Sequence, residues 1–385
     1  MRVLFTTPAG IGHINPTVPL ARAMAARGHD VVWAVPPDGL DRVKRTGIVA
    51  VGVGTGGLMQ LPEVRRRYPE LGSLPPADVP NVMFGKLFGA IAAPVLLADL
   101  VPVALAWRPD LVVADAADFA GHIVAAELGV PSVTKGFGPL LPEGRVAAAG
   151  AEVAPLWRSR GLEPRPYGGA YDRLYLDVYP SALRAPDADH VPHRQLLRPV
   201  TYDEQPEGPV PQPLRAGPGD APLVYVTMGT VFNGPELIEV LVDTLAGLDV
   251  RVLATVGPEA ELPIPGRYGP HVRVERYVPH APVLEACDVV VSHAGSGTVL
   301  AALTHGRPQL CLPQGADQFL NADAVASSGA GISLMPGETT ADAVRDAVIR
   351  LLADETFGDA ALRTSTSIAS MPSPDDVAAI LESLP

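Results

Sequence analysis

A chain of 385 residues is longer than one ordinary core supports, so two domains are the default expectation. With 47% hydrophobic and only 18% charged residues, the composition is that of a globular chain and excludes a disordered one. A formal net charge of −13, from 42 acidic and 29 basic residues, excludes the basic stripe of a nucleic-acid binder.

In chain order, Arg2 to Thr6 reads as an apolar strand, Pro8 to Pro16 as a Gly-rich turn, and Thr17 to Arg27 as a helix ended by Gly28. A strand so near the start leaves no room for a signal peptide, and a cytoplasmic location is expected. Asp30 to Val35 is a second strand, apolar throughout and therefore buried on both faces. The run Arg65-Arg66-Arg67 reads as a solvated face. The apolar stretch Ala90 to Trp107 carries Pro94, Asp99 and Pro102, and reads as a buried helix with no stable membrane insertion. A strand at Asp110 to Ala114, a helix at Ala117 to Leu128 and a short strand at Pro131 to Thr134 follow. Strands alternating with helices imply a parallel sheet with right-handed crossovers.

Between Tyr202 and Pro222 the prolines at 206, 209, 211, 213, 218 and 222 rule out a helix or central strand, which predicts a stiff linker over 206–221. The pattern then restarts. Strands are predicted at Leu223 to Met228, Val250 to Thr255, Val272 to Glu275, Val289 to Ser292 and Gln309 to Leu312. Helices are predicted at Pro235 to Gly247, Val283 to Ala286 and Thr298 to His305. The expected fold class is α/β: two Rossmann-like, doubly wound parallel-sheet domains facing each other across a cleft. Their boundaries are 1–205 and 222–370, with a final helical segment over 371–385. Cys287 and Cys311 sit in apolar segments without metal-ligand spacing and read as core thiols of a reducing compartment. His190 and His193 have metal-like spacing but no third ligand, and read as surface residues.

Four loops of the second half suit a nucleoside diphosphate. Without a metal, such a group must be held by backbone N–H groups, hydroxyls and a helix N-terminus. Strand Val289 to Ser292 runs into His293-Ala294-Gly295-Ser296-Gly297-Thr298 and then a helix. Its glycines allow close approach of amides, Thr298 offers a hydroxyl, and His293 can donate from its ring. Gly229-Thr230 ends another strand with a small residue and a hydroxyl. Pro313 to Gln318 sets Asp317 beside Gln318, an acid and an amide suited to vicinal sugar hydroxyls. Arg276 to His280 offers an aromatic face and backbone groups to a base.

These motifs, with Gly12-His13, Pro16 and Asn321-Ala322, resemble the inverting GT-B glycosyltransferases, and more narrowly the actinobacterial enzymes that decorate antibiotics with deoxysugars. The resemblance spans essentially the whole chain. It implies that Thr230, His293, Gly297 and Thr298 hold the diphosphate, with Gly295 and Ser296 in the same donor loop. It implies further that Asp317 and Gln318 hold sugar hydroxyls, that Tyr277 and Val278 flank the base, and that the last helix crosses back to the N-terminal domain. Members that use UDP-sugars carry a glutamate on the ribose eight residues after the motif histidine. That position is Ala301 here, which favours a dTDP-sugar as co-substrate. Neither a metal nor another cofactor is expected.

Displacement at an anomeric carbon needs a group to take the acceptor proton. His13, in the loop after the first strand, has a side chain whose ordinary pKa of about 6.5 suits that role. The resemblance places the orienting carboxylate at Asp115, with Asp118 a rival three residues on. The segments 55–90 and 135–170 are where the family encloses a small hydrophobic aglycone, and Phe84, Phe88, Phe137 and Trp157 are candidate lining residues. Two other readings share the architecture: a nucleotide-sugar epimerase, and a non-catalytic nucleotide-sugar-binding partner. Self-association into a homodimer is left open.

Overall fold

The computed structural model describes residues 1–55, 60–183, 188–203, 221–229, 235–257 and 267–384. All of the predicted linker but its last residue, and Thr230 of the donor loops, lie outside these. The chain forms two units. The first takes Met1–Tyr179, Ala185–Arg198 and Met371–Pro385; the second takes Pro180–Arg184 and Pro199–Ser370.

The first unit is built on strands β1 (Arg2–Thr6), β2 (Asp30–Val35), β3 (Val49–Gly52), β4 (Leu111–Asp115), β5 (Ser132–Lys135), β6 (Leu174–Asp177) and β7 (Arg194–Leu196). They are all parallel, in the order β3-β2-β1-β4-β5-β6-β7. The order reverses between β1 and β4, both apolar except at their ends and buried throughout apart from Arg2. Loops leaving the C-terminal ends of two such strands diverge and open a crevice, so this is where the topology places chemistry.

The second unit repeats the plan with β8 (Leu223–Thr227), β9 (Arg251–Thr255), β10 (Val272–Glu275), β11 (Val289–Ser292), β12 (Gln309–Cys311) and β13 (Gly331–Ser333). The order is β10-β9-β8-β11-β12-β13, again parallel, and reverses between β8 and β11. Its core lies on both faces of the sheet. Val224, Val226, Val289 and Val291 pack on one side, and Tyr225, Leu253 and Val290 on the other. That two-sided burial is why these strands read as unbroken apolar runs.

Two local departures matter for the site. Pro8 to Pro16, predicted as a turn, contains a short helix, Ile11–Ile14, and a tight helical turn, Asn15–Thr17. The predicted helix of Ala90 to Trp107 is the end of a longer one, Val79–Trp107, which is partly buried and, by length and composition alone, apolar enough to cross a membrane. Its middle, Gly85–Ala92, is wound as a π-helix. There Gly85 and Gly89 press onto the backbone of Ala149 in the helix Glu143–Ser159, where a methyl on Gly89 would lie 3.1 Å from the Ala149 carbonyl oxygen. The final helix, Pro374–Leu381, packs on the helix Val18–Ala26 of the first unit, where Arg27 and His29 donate to Glu382. Within the basic run, Arg66 and Arg67 pair with Glu63 on their own helix. His190, predicted at the surface, is half-buried against Tyr167 and Tyr171, while His193 is exposed.

Candidate active site

In the first unit, His13 is carried by the short helix that leaves β1, and the Thr17 hydroxyl donates to its carbonyl at 2.8 Å. Asp115 is the last residue of β4 and is fully buried. The chain reversal brings the two together: His13 Nδ1 lies 2.9 Å from Asp115 Oδ1. The same oxygen accepts from the Ala117 amide at 2.9 Å, which fixes the carboxylate against the strand end. With the carboxylate accepting from Nδ1–H, the imidazole carries its lone pair on Nε2, which has no partner among the described residues. Asp118 does not join this pair. Its Oδ1 accepts from the amides of Ala120 and Gly121 at the start of the next helix.

Two aromatic rings pack edge-on to the imidazole, Phe137 with centroids 4.5 Å apart and Phe88 at 6.0 Å. Phe88 belongs to the π-helical segment Gly85–Ala92. Phe84 lies one layer behind, against Phe88 and Phe119, and is buried. Trp157 is a core residue, fully buried beneath Gly169, so it lines no open surface in the first unit.

In the second unit, His293 leaves β11 between two glycines. A methyl on Gly229 would lie 2.5 Å from its Cε1, and one on Gly295 would lie 2.5 Å from its Nε2. Burial pushes the imidazole down to about 4, against the opposing attraction of Asp317, so it is neutral near pH 7. Gly295 is the N-cap of the helix Ser296–Thr304 and supplies no side-chain cap, leaving the first amides of that helix to an outside acceptor. Gly297 is exposed there, and a methyl on it would meet nothing within 4 Å. The Thr298 hydroxyl, in the same turn, has no partner among the described residues.

The other candidates divide. Ser296 turns away from the helix terminus: its hydroxyl donates to Asp317 Oδ2 at 2.5 Å and accepts from Asn321 Nδ2 at 3.0 Å. Asn321 also donates to Asp317 Oδ2 at 3.0 Å. These three side chains lock the loop after β11 to the loop after β12. Asn321 is wholly buried, and four-residue spacing from Asp317 on one helix was its available signal. Gln318 Oε1 accepts from the amides of Gln314 and Gly315, which leaves its NH₂ for a ligand. Tyr277 is 38% exposed, whereas Val278 is buried in the core cluster with Tyr225 and Leu253, so only its backbone can meet a base. Among the described residues no group of three His, Cys, Asp or Glu side chains is placed to hold a metal.

Comparison with known proteins bears on the same residues. Models of the erythromycin biosynthesis protein CIII-like family match at residues 86–203 for its N-terminal domain and 239–384 for its C-terminal domain. The elloramycin glycosyltransferase ElmGT of Streptomyces olivaceus is 35% identical, over 99% of this chain and 97% of its own. The chain is a glycosyltransferase of the erythromycin biosynthesis protein CIII-like family. The TDP-daunosamine transferase DnrS of Streptomyces peucetius is 33% identical to this glycosyltransferase, over 100% of this chain and 97% of its own. The solved structure of the glycosyltransferase SnogD from Streptomyces nogalater, 29% identical, superposes with a TM-score of 0.78 over 100% of this chain and 99% of that one. The glycosyltransferase therefore has the GT-B fold of two parallel-sheet domains.

Proposed function

We propose that this glycosyltransferase moves a deoxysugar from a dTDP-sugar to a hydroxyl of a small hydrophobic natural product, with inversion at the anomeric carbon. The observation that carries the reading is the His13–Asp115 pair at 2.9 Å, with Nε2 of the imidazole unpartnered. The acceptor O–H gives its proton to Nε2, the acceptor oxygen forms the new bond to the anomeric carbon, and the bond to dTDP breaks with its electron pair leaving on the diphosphate. Asp115, already on Nδ1, holds the ring in the tautomer that accepts and stabilises the imidazolium. Phe88 and Phe137 offer apolar edges to an aglycone beside the imidazole.

Leaving-group charge falls to the second unit. The open helix N-terminus at Gly297, the Thr298 hydroxyl and the His293 ring are suited to diphosphate oxygens, and the half-helix dipole adds to them. No resident metal is part of the proposal. Asp317 and the Gln318 NH₂ are suited to sugar hydroxyls. Ala301, at the position of a ribose-binding glutamate in UDP-sugar enzymes, is buried and bears no carboxylate, which favours a donor without a 2′-hydroxyl. Several relatives are named for such donors or ligands: DnrS for TDP-daunosamine, and the structure of VinC, 26% identical with a TM-score of 0.80 over 100% of this chain and 99% of that one, for its complex with dTDP. Both thiols, Cys287 and Cys311, are buried and free, in keeping with a cytoplasmic enzyme.

Incubation with dTDP-deoxysugars and a panel of aglycones, read by proton NMR of the product's anomeric signal, tests the reading. It predicts dTDP and an inverted glycoside in equal amounts. Release of a rearranged free sugar nucleotide would instead mark an epimerase and sink the proposal.

A further inference from the structure

Behind the His13–Asp115 pair lies a second set of buried charges that the transfer reaction leaves unused. Lys135, at the end of β5, is fully buried, and its Nζ has no hydrogen-bond partner among the described residues. A lysine is almost never buried to that degree without a partner. It pairs in register with Asp115 on the adjacent strand, and parallel register puts the two side chains on the same face of the sheet. Asp115 gives one oxygen to His13 and Ala117, and its other oxygen, Oδ2, is likewise buried without a partner among the described residues. A second carboxylate, Asp118, is buried three residues on, with the Thr6 hydroxyl beside it. Two carboxylates and one ammonium are thus enclosed at the strand ends directly behind the imidazole.

We propose that Lys135 is a positioning residue that sets how strongly the His13–Asp115 pair holds a proton. Its buried ammonium cancels one of the two carboxylates behind the ring and leaves a single negative charge for the imidazolium to meet. This rests on the reading of His13 as the base. The ionisation of the set agrees with it: burial brings Lys135 down to about 8 against the attraction of Asp115, and lifts Asp118 to about 6, with the Asp115 charge adding to the effect. Near pH 7 Lys135 is therefore a cation and Asp118 an anion. The other titratable groups at this edge do not upset that balance. Burial holds the Tyr175 phenol well above its usual value and His122 down at about 4, so both are neutral, while Asp177 and Arg194 carry opposite charges.

Lys135→Met removes the cation without adding a polar group. The NMR titration midpoint of the His13 ring is expected to rise by about one pH unit, and the acid limb of the kcat/KM profile to follow it. At pH 6, kcat/KM then falls by up to about tenfold, with KM for the donor unchanged. Asp118→Asn keeps an oxygen for the amides of Ala120 and Gly121 but removes an anion, and is expected to move the midpoint down; Lys135→Arg is expected to leave it in place. Because the two charge-removing variants act in opposite directions, misfolding of either one still leaves a signed test. A midpoint that stays within about 0.2 unit of wild type in whichever of the two folds overturns the proposal. Shifts as expected in the ring titration, together with full activity of His13→Ala, would leave the charge balance intact and overturn the base instead.

Discussion

Gly295→Ala is the sharpest probe of the donor loop, because the geometry fixes both the strain and where it goes. The added methyl lies 2.5 Å from His293 Nε2 and 2.9 Å from Cε1, so the ring must retreat by about 1 Å to reach an ordinary contact. Its room to retreat is limited, since Gly229 also approaches the ring so closely that a methyl there would be 2.5 Å from Cε1. Overpacking of this kind costs about 1–3 kcal/mol, which corresponds to about 2–4 °C of melting temperature per kcal/mol in a unit of this size. A displacement of about 1 Å in a group that contacts the leaving diphosphate costs roughly 100-fold in turnover. Gly297→Ala is the matched comparison: nothing lies within 4 Å of its methyl, so the melting temperature holds or rises while the methyl obstructs the helix terminus. Calorimetric titration with dTDP, thermal unfolding and kcat/KM are measured on both variants. Gly295→Ala loses stability and dTDP affinity together, and Gly297→Ala loses affinity alone. A Gly295→Ala enzyme with wild-type dTDP affinity and turnover would refute the placement of the diphosphate at the His293 ring.

His13→Ala is expected to lower turnover by about 10²–10⁴-fold while dTDP binding by calorimetry stays unchanged, because the imidazole and the donor loop belong to different units. Asp118 sits at about 6, above the usual carboxylate value of 3.8, so its contribution to stability is fully present below pH 3.8 and is lost as pH rises through 6. Asp118→Asn should accordingly gain on wild type between pH 4 and pH 8, by up to about 3 kcal/mol in urea unfolding, and an equal difference at both pH values would contradict this. Glu382 behaves oppositely. The hydrogen bond from Arg27, with His29, holds it at about 2, so its stabilisation is present above pH 4.5 and lost as pH falls towards 2. The melting curves of wild type and Glu382→Gln are expected to converge over that window. Gly358→Ala, in the interior of the helix Glu355–Ala369 with free space at its methyl, should stabilise by about 0.5–1 kcal/mol in the same assay.

For most of the strands read from the amino acids alone, the signal was burial on two sides. β11 is Val289-Val290-Val291-Ser292 in the sequence and in the fold, because a central parallel strand is apolar at every position. β3, β7 and β13, at sheet edges where one flank meets solvent, went unread, with Val49 of β3 65% exposed; β6 went unread inside its sheet, while β10 was predicted at an edge. The site followed the same rule. Loops leaving strands at the order reversals could be picked out as a set, but the alternation within a loop could not. Val278 and Ser296 stand inside donor motifs yet turn inward, to the core and to Asp317. Phe88 meets the imidazole from a π-helical segment, a winding that no hydropathy period reports. Lys135 carries no local signal, as its burial comes from flanking strands that lie far away in the sequence.

The closing helix has a consequence for how the protein is made. Pro374–Leu381 packs on Val18–Ala26, and all of Pro199–Ser370 is translated between the two. Until this helix is translated, the nascent first unit exposes the apolar face that it covers. The strands of the second unit, β8 to β13, all lie between Leu223 and Ser333 and are translated well before then. Contacts this distant in sequence form slowly. A ribosome that stalls before Pro374 therefore leaves the second unit attached to a first unit whose Val18–Ala26 face is uncovered, so quality control of the truncated product would act on the part of the molecule made earlier.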